Sequence, residues 1–177
     1  MITLFLRRKT ISKLDRLLDI AVSENIHIRY VPEIPSLGAE ALYISRDGIR
    51  LILLLETLKD NLIHLTEVLA EEIGHYFTSV GNNINAVSYF DRLKIDKCES
   101  KAMRWACDFL VPKDELIENI KKCPSGLDDL ADMLEVSKDI LIQGLYYLSL
   151  NNDIIRIDDN KYLILCNYPN VYIYNKL

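Results

Sequence analysis

Between Leu69 and Val80 the chain reads Leu-Ala-Glu-Glu-Ile-Gly-His-Tyr-Phe-Thr-Ser-Val, and it sets three groups able to do chemistry, Glu71, Glu72 and His75, inside an apolar stretch. Glu71 and His75 are four apart, so on a helix they stack on one face, while Glu72 stands about 100° round from Glu71. A ligand pair at i and i+4 with a carboxylate at i+1 suits a metal held by the pair and a general base beside it. The bland alternative is a solvated glutamate pair and a packing histidine. The apolar setting weighs against that alternative, because carboxylates without partners are costly to bury.

A metal site needs a further ligand, and a second segment offers one. Lys97 to Val111, closed by Pro112, reads as a helix with Glu99, Ala102, Ala106 and Phe109 or Leu110 along one stripe. Glu99 is the one charge on that stripe, and the two alanines permit close approach of another helix. Glu71, His75 and Glu99 then form a three-ligand set with one position left open, as catalytic zinc sites have. Without a metal, Glu99 would serve as an acidic residue favoured early in a helix. The standard zinc-peptidase pattern is His-Glu-x-x-His, and Glu71 stands here where that pattern has its first histidine. Two carboxylates and one imidazole nearly cancel a divalent charge, which moves preference from zinc toward harder ions such as manganese and weakens the site.

Leu-Ala-Glu-Glu-Ile-Gly-His-Tyr-Phe-Thr-Ser, then Glu99-x-x-Ala102-x-x-x-Ala106 and Leu110-Val-Pro112, resembles the ImmA/IrrE family of metallo-endopeptidases. A later Leu-x-x-Leu-Ala-x-x-Leu-x-Val-Ser element matches as well, and the resemblance covers roughly residues 20 to 150. It implies metal ligands at His75 and Glu99, with Glu71 in the first-histidine position, and a catalytic Glu72. It also implies a zincin-like fold, a bound divalent metal (zinc, with manganese as the alternative), and a helix-turn-helix repressor of a prophage or mobile element as the protein substrate. The departure at Glu71 keeps a second function in play, a non-catalytic regulator of the same fold that binds a repressor without cutting it.

The surrounding elements must hold these groups in place. Ile11, Leu14, Leu17, Leu18 and Ala21 predict an amphipathic helix over 10–24 with Thr10 as its cap. Ile26–Val31 alternates and stops at Pro32, and Ala41–Ser45 and Ile49–Leu55 flank the hairpin signal Asp47-Gly48. An edge strand of such a sheet is suited to aligning an extended substrate through main-chain hydrogen bonds. The apolar pattern from about Leu58 predicts the long buried helix, with Leu62, Leu65, Leu69, Ile73 and Tyr76 on one face and Ile63, Val68, Ala70 and Phe77 on others. Gly81-Asn-Asn83 ends it, and 82–96 reads as an irregular polar link. His64 is eleven residues before His75, about 16 Å along a helix, so one ion cannot bind both. His27 falls on the outward face of its strand.

Beyond Pro112 comes a short helix over 112–122. Ser125 to Ser137 and Lys138 to Leu150 follow as a helix-turn-helix pattern with Ser137 at the second N-cap. Ile154–Asp158 and Tyr162–Cys166 predict a wing-like hairpin, with 171–174 as a third strand and Tyr146 and Tyr147 as core aromatics with exposed hydroxyls. Residues 113–177 carry seven Lys/Arg against eleven Asp/Glu, and Lys138 is the one cation of the would-be recognition helix. A winged-helix reader of DNA needs phosphate-facing cations, so direct nucleic-acid binding is not expected. The lobe reads instead as a scaffold or partner-docking element.

Of 177 residues half are hydrophobic, the net charge is −5 and the pI is about 5.2. No apolar run is long enough to span a bilayer, and the basic run at Arg7-Arg8-Lys9 follows the apolar start rather than preceding it. Cys98, Cys107, Cys123 and Cys166 lack Cys-x-x-Cys spacing and read as reduced thiols of a cytoplasmic protein. Cys98 points about 100° away from Glu99 and is left out of the ligand set. The expectation is therefore an α+β chain: a metallopeptidase half-domain, small sheet plus active-site helix, over 1–112, then a helix-turn-helix or winged-helix-like lobe over 113–177.

Overall fold

A computed structural model of the chain describes residues 11–34, 38–78 and 89–176. Its first helix, α1 (Lys13–Ser23), starts from a reciprocal cap. The Ser12 hydroxyl accepts from the Asp15 amide, and the Asp15 carboxylate accepts from the Ser12 amide. The cap is thus Ser12, and Thr10, the residue expected in that role, lies outside the described residues. Leu17 and Ala21 form the buried face of α1, while Ile11, Leu18 and Val22 are exposed.

Strand β1 (Ile26–Val31) runs parallel to β3 (Ile49–Leu55), and β3 is antiparallel to β2 (Ala41–Arg46), giving the order β1-β3-β2. Asp47 and Gly48 both have positive φ, 52° and 80°, as a two-residue type I′ hairpin requires. Ile52 and Leu54 are wholly buried on the face that meets the helices.

The long helix starts later than its apolar pattern suggests. Residues Glu56–Asp60 form a 3-10 turn, Asn61 is extended, and α2 covers Leu62–Thr78. Asn61 is the reason: its side-chain oxygen accepts from the His64 amide, which fixes the helix start there. Leu65, Leu69, Ala70 and Ile73 are buried, each large aliphatic contributing about 1.5–3 kcal/mol. Leu62, Ile63 and Phe77 remain exposed, so α2 is buried on one side only. The expected helix end at Gly81-Asn-Asn83 lies outside the described residues.

Helix α3 runs Tyr89–Leu110, so the part of the expected link from residue 89 to 96 is helical. Those residues contain no glycine or proline, and lengthening an existing helix costs little compared with starting one. Pro112 caps α4 (Lys113–Lys121), and α5 (Leu127–Met133) and α6 (Lys138–Ser149) follow. The Ser137 hydroxyl accepts from the Ile140 amide at 3.2 Å, which makes it the N-cap of α6. A second antiparallel sheet, β4 (Ile154–Arg156), β5 (Lys161–Ile164) and β6 (Tyr172–Asn175), is ordered β4-β5-β6. The protein is therefore α+β, with six helices and two small sheets among the described residues.

One buried apolar core extends from Leu17 to Leu165 without a break at Pro112. Polar contacts cross the same boundary. Lys13 Nζ donates to the carbonyls of Leu110, at 2.6 Å, and Leu134, and pairs with Glu115 at 3.3 Å. Burial pulls the Lys13 ammonium below its ordinary value, an effect opposed by Glu115. Tyr147 is buried and its hydroxyl donates to the Ser100 carbonyl at 3.2 Å, so that hydroxyl is engaged rather than free. Tyr146 is instead exposed and packs on Tyr168, because it falls on the outer side of α6.

Candidate metal centre

The centre is built where α2 and α3 come unusually close. A Cβ placed on Gly74 would lie 2.5 Å from the carbonyl oxygen of Ala102, so only glycine fits. Opposite it, Ala102 and Ala106 are wholly buried. Small residues on both sides let the helix backbones approach, and Glu99, one turn before Ala102, is carried to the Glu71–His75 face.

There, His75 Nε2 lies 3.3 Å from Glu99 Oε2. One ligand atom from each of Glu71, His75 and Glu99 lies within 4.8 Å of the others. Donors around an ion at about 2.0–2.2 Å stand closer together than that limit, so small side-chain rotations close the set. Two carboxylates and an imidazole are a donor set that suits a divalent cation, and their convergence at one point fits such an ion. The His75 side chain is 17% exposed and that of Glu99 54%, so the centre is walled by α2 and open beside Glu99.

Crowded acids define the electrostatics. Burial pushes the Glu71 carboxyl above its ordinary range; Glu99 adds to the rise and His75 opposes it. Glu72 is pushed up to about 8, first by burial and then by the charge on Glu71, with a small further push from Glu99 and an opposing pull from the Tyr43 backbone. That opposing contact locates Glu72 next to β2, an edge strand of the first sheet. The cluster is a concentration of negative charge that a cation would relieve.

Behind the ligands α2 is clamped by aromatics. The Tyr76 hydroxyl donates to Glu24 Oε2 at 2.6 Å, and the Arg50 guanidinium lies 5.1 Å from the Tyr76 ring centre. Phe77 stacks on Trp105 and Trp105 on Phe109, at 5.1 and 5.5 Å between centroids. The Phe77–Trp105 stack joins α2 to α3, and the Trp105–Phe109 stack lies within α3. On the ligand face itself, one turn before Glu71, Glu67 accepts from the Ser137 amide at 2.5 Å and so reaches the start of α6.

His64 is not part of the centre: its Nε2 is 2.8 Å from Glu40 Oε2, where it ties the start of α2 to the approach to β2. His27 is exposed on β1. Residue patterning missed Gly74. The available signal was a lone glycine inside a helical pattern, which costs about 1 kcal/mol relative to alanine and so calls for a packing reason.

Cys107 is buried next to the acids, and its thiol is pushed up to about 12, chiefly by burial and then by Asp108, Glu71 and Glu67. Cys123 and Cys166 are exposed. A thiol-alkylating reagent at pH 8 should therefore label Cys123 and Cys166 in the folded protein and Cys107 only after unfolding. Peptide mass mapping reads the difference, and rapid native labelling of Cys107 would contradict the burial described.

The family model Peptidase_M78, described as the IrrE N-terminal-like domain, matches residues 25–146, from the strand before the hairpin to the last helix. No curated protein and no solved structure matched the chain. No helix among the described residues is long and apolar enough to cross a membrane. With more than half of its length matched to a metallopeptidase model, the chain belongs to the Peptidase_M78 family of IrrE N-terminal-like domains.

Proposed function

We propose that the protein is a metal-dependent endopeptidase of the cytoplasm that cuts a helix-turn-helix repressor controlling prophage or mobile-element genes. The observation that carries this reading is the convergence of Glu71, His75 and Glu99 with Glu72 one residue along from the first of them. Residues 1–112 would carry the chemistry and 113–177 the docking of partners.

In this reading Glu71, His75 and Glu99 hold a divalent cation, zinc first and manganese second for so oxygen-rich a set. The bound ion would supply Lewis-acid polarisation and a more acidic water. Glu72 takes a proton from the attacking water on its carboxylate and delivers it to the departing amine. The outer edge of β2, beside Glu72, offers main-chain groups to an extended substrate.

Elemental analysis of protein purified without chelator or a metal-binding tag tests the reading. About one equivalent of zinc or manganese is expected, with loss in His75→Ala and Glu99→Ala. Full stoichiometry in Glu99→Ala would remove Glu99 from the set. Glu71→His should tighten zinc binding, measured by competition with a chromogenic chelator, and unchanged affinity would mean that Glu71 is not a ligand.

Glu71 itself favours a second reading, a regulator that binds the repressor without cutting it. Absence of metal even in excess zinc and manganese, together with an intact repressor in the mixture, would decide for it.

A further inference from the structure

Helix α6, the second helix of the helix-turn-helix pattern, touches both helices that carry the converging ligands, and its sequence explains one of the two contacts. At α1 the cap is reciprocal, since the Ser12 hydroxyl accepts from the Asp15 amide and the Asp15 carboxylate from the Ser12 amide. At α6 the Ser137 hydroxyl accepts from the Ile140 amide, but Ile140 stands where the answering carboxylate would be and has nothing to return. The Ser137 amide is left to find an acceptor elsewhere. Glu67 of α2 supplies it, with Oε1 2.5 Å from the Ser137 nitrogen, and sets a carboxylate at the positive end of α6. Glu67 is one turn before Glu71, on the face that Glu71 and His75 share.

The far end of α6 is tied to α3. Tyr147 is only 9% exposed, and its hydroxyl donates at 3.2 Å to the carbonyl of Ser100, the residue after Glu99. Arg104, one turn further along α3, lies 5.9 Å from the centre of the Tyr147 ring. One turn back on α6, Gly144 lets the helix sit against Val111 at the end of α3, where an added Cβ would come within 3.1 Å of the valine side chain. Glu67 and Ser100 therefore each stand within a turn of a ligand, on different helices, and α6 spans the two.

We propose that α6 is a strut that fixes the spacing of Glu71 and His75 on α2 from Glu99 on α3, with Glu67 and Tyr147 as its positioning residues. Neither belongs to the converging set, so neither acts by donating to the ion. Gly74 and Ala102 permit the two helices to approach, and the strut holds them at the offset where the three donors meet. Groups that hold a ligand's support in place tune a metal site without touching the metal. The inference rests on the metal reading of the centre and adds to it a role for the second helix of the helix-turn-helix pattern.

Zinc affinity of the full-length protein, measured by competition with a chromogenic chelator, tests the strut, with circular dichroism showing that each metal-free variant is folded at the assay temperature. Tyr147→Phe keeps the ring and removes the hydroxyl, and should weaken zinc binding about tenfold. A lowered melting temperature with unchanged zinc affinity would make the Tyr147 hydroxyl structural alone and overturn the inference. Glu67→Met removes the acceptor for the Ser137 amide and should also cost about tenfold in affinity, whereas Glu67→Gln keeps an acceptor oxygen and should stay within about threefold of wild type. Equal losses in the Gln and Met variants would assign the effect of Glu67 to its charge and overturn the strut. Should Glu67→Met fail to fold, Tyr147→Phe decides alone. Zinc bound with wild-type affinity by both Tyr147→Phe and Glu67→Met removes the strut and leaves the metal reading standing. No zinc bound by the wild-type protein removes the metal reading and the strut with it.

Discussion

Exchanging Glu72 for glutamine should lower peptide cleavage by about 10²–10⁴-fold while bound metal stays at full stoichiometry. Glutamine keeps the volume and a hydrogen-bonding head but cannot take a proton from water. Because Glu72 is not among the three converging ligands, the metal should not follow it out. The ratio of metal to protein is the internal control, read on the same sample as the cleavage rate. Full cleavage by the Gln variant would assign the proton transfer elsewhere. Loss of metal with loss of cleavage would make Glu72 a ligand and redraw the centre.

The second large effect is expected where no charge changes at all. Gly74→Ala places a methyl 2.5 Å from the Ala102 carbonyl oxygen, a backbone atom that cannot swing aside. Helix propensity alone predicts a gain of about 1 kcal/mol for this substitution. Overpacking between the helices predicts a loss of roughly 1–3 kcal/mol. At about 2–4 °C per kcal/mol for a chain of this size, the net result should be a melting temperature lowered by several degrees. The displaced α3 carries Glu99, so metal affinity should fall too, although residue 74 offers no donor. A melting temperature raised by alanine would show that the helices can part without cost, and would remove the close approach as the cause of the ligand geometry.

These two residues also show how far the sequence could be read. The convergence of Glu71, His75 and Glu99 was legible because charge inside an apolar helical pattern is conspicuous, because Glu99 is the one charge on its own stripe, and because helical spacing fixes which side chains share a face. The hairpin was legible because Asp47-Gly48 is suited to positive φ at both positions. Helix limits were harder. Asn61 stops the helical run short of Leu58 through one side-chain hydrogen bond, which the apolar pattern does not register. Residues 89–96 are helical despite their mixed character, since the helix that continues them supplies the nucleus. Least legible was distance. Ala102 and Ala106 hinted at close packing, but only the glycine on the opposite helix sets how close, and the two lie 28 positions apart in the chain.

Lys13 has a consequence for the order in which the chain acquires its structure. Its ammonium is shared between the last carbonyl of α3, 97 residues away, and the Leu134 carbonyl, 121 residues away. During synthesis, α1 emerges before the groups that hold it and cannot complete its docking until residue 134 has left the ribosome. Until then a buried cation lacks the acceptors that justify burying it, and closing so long a loop is slow. Helix α1 is thus fixed only after elements that follow it, and a chain cut between α1 and Leu134 would leave Lys13 without one of its two carbonyls.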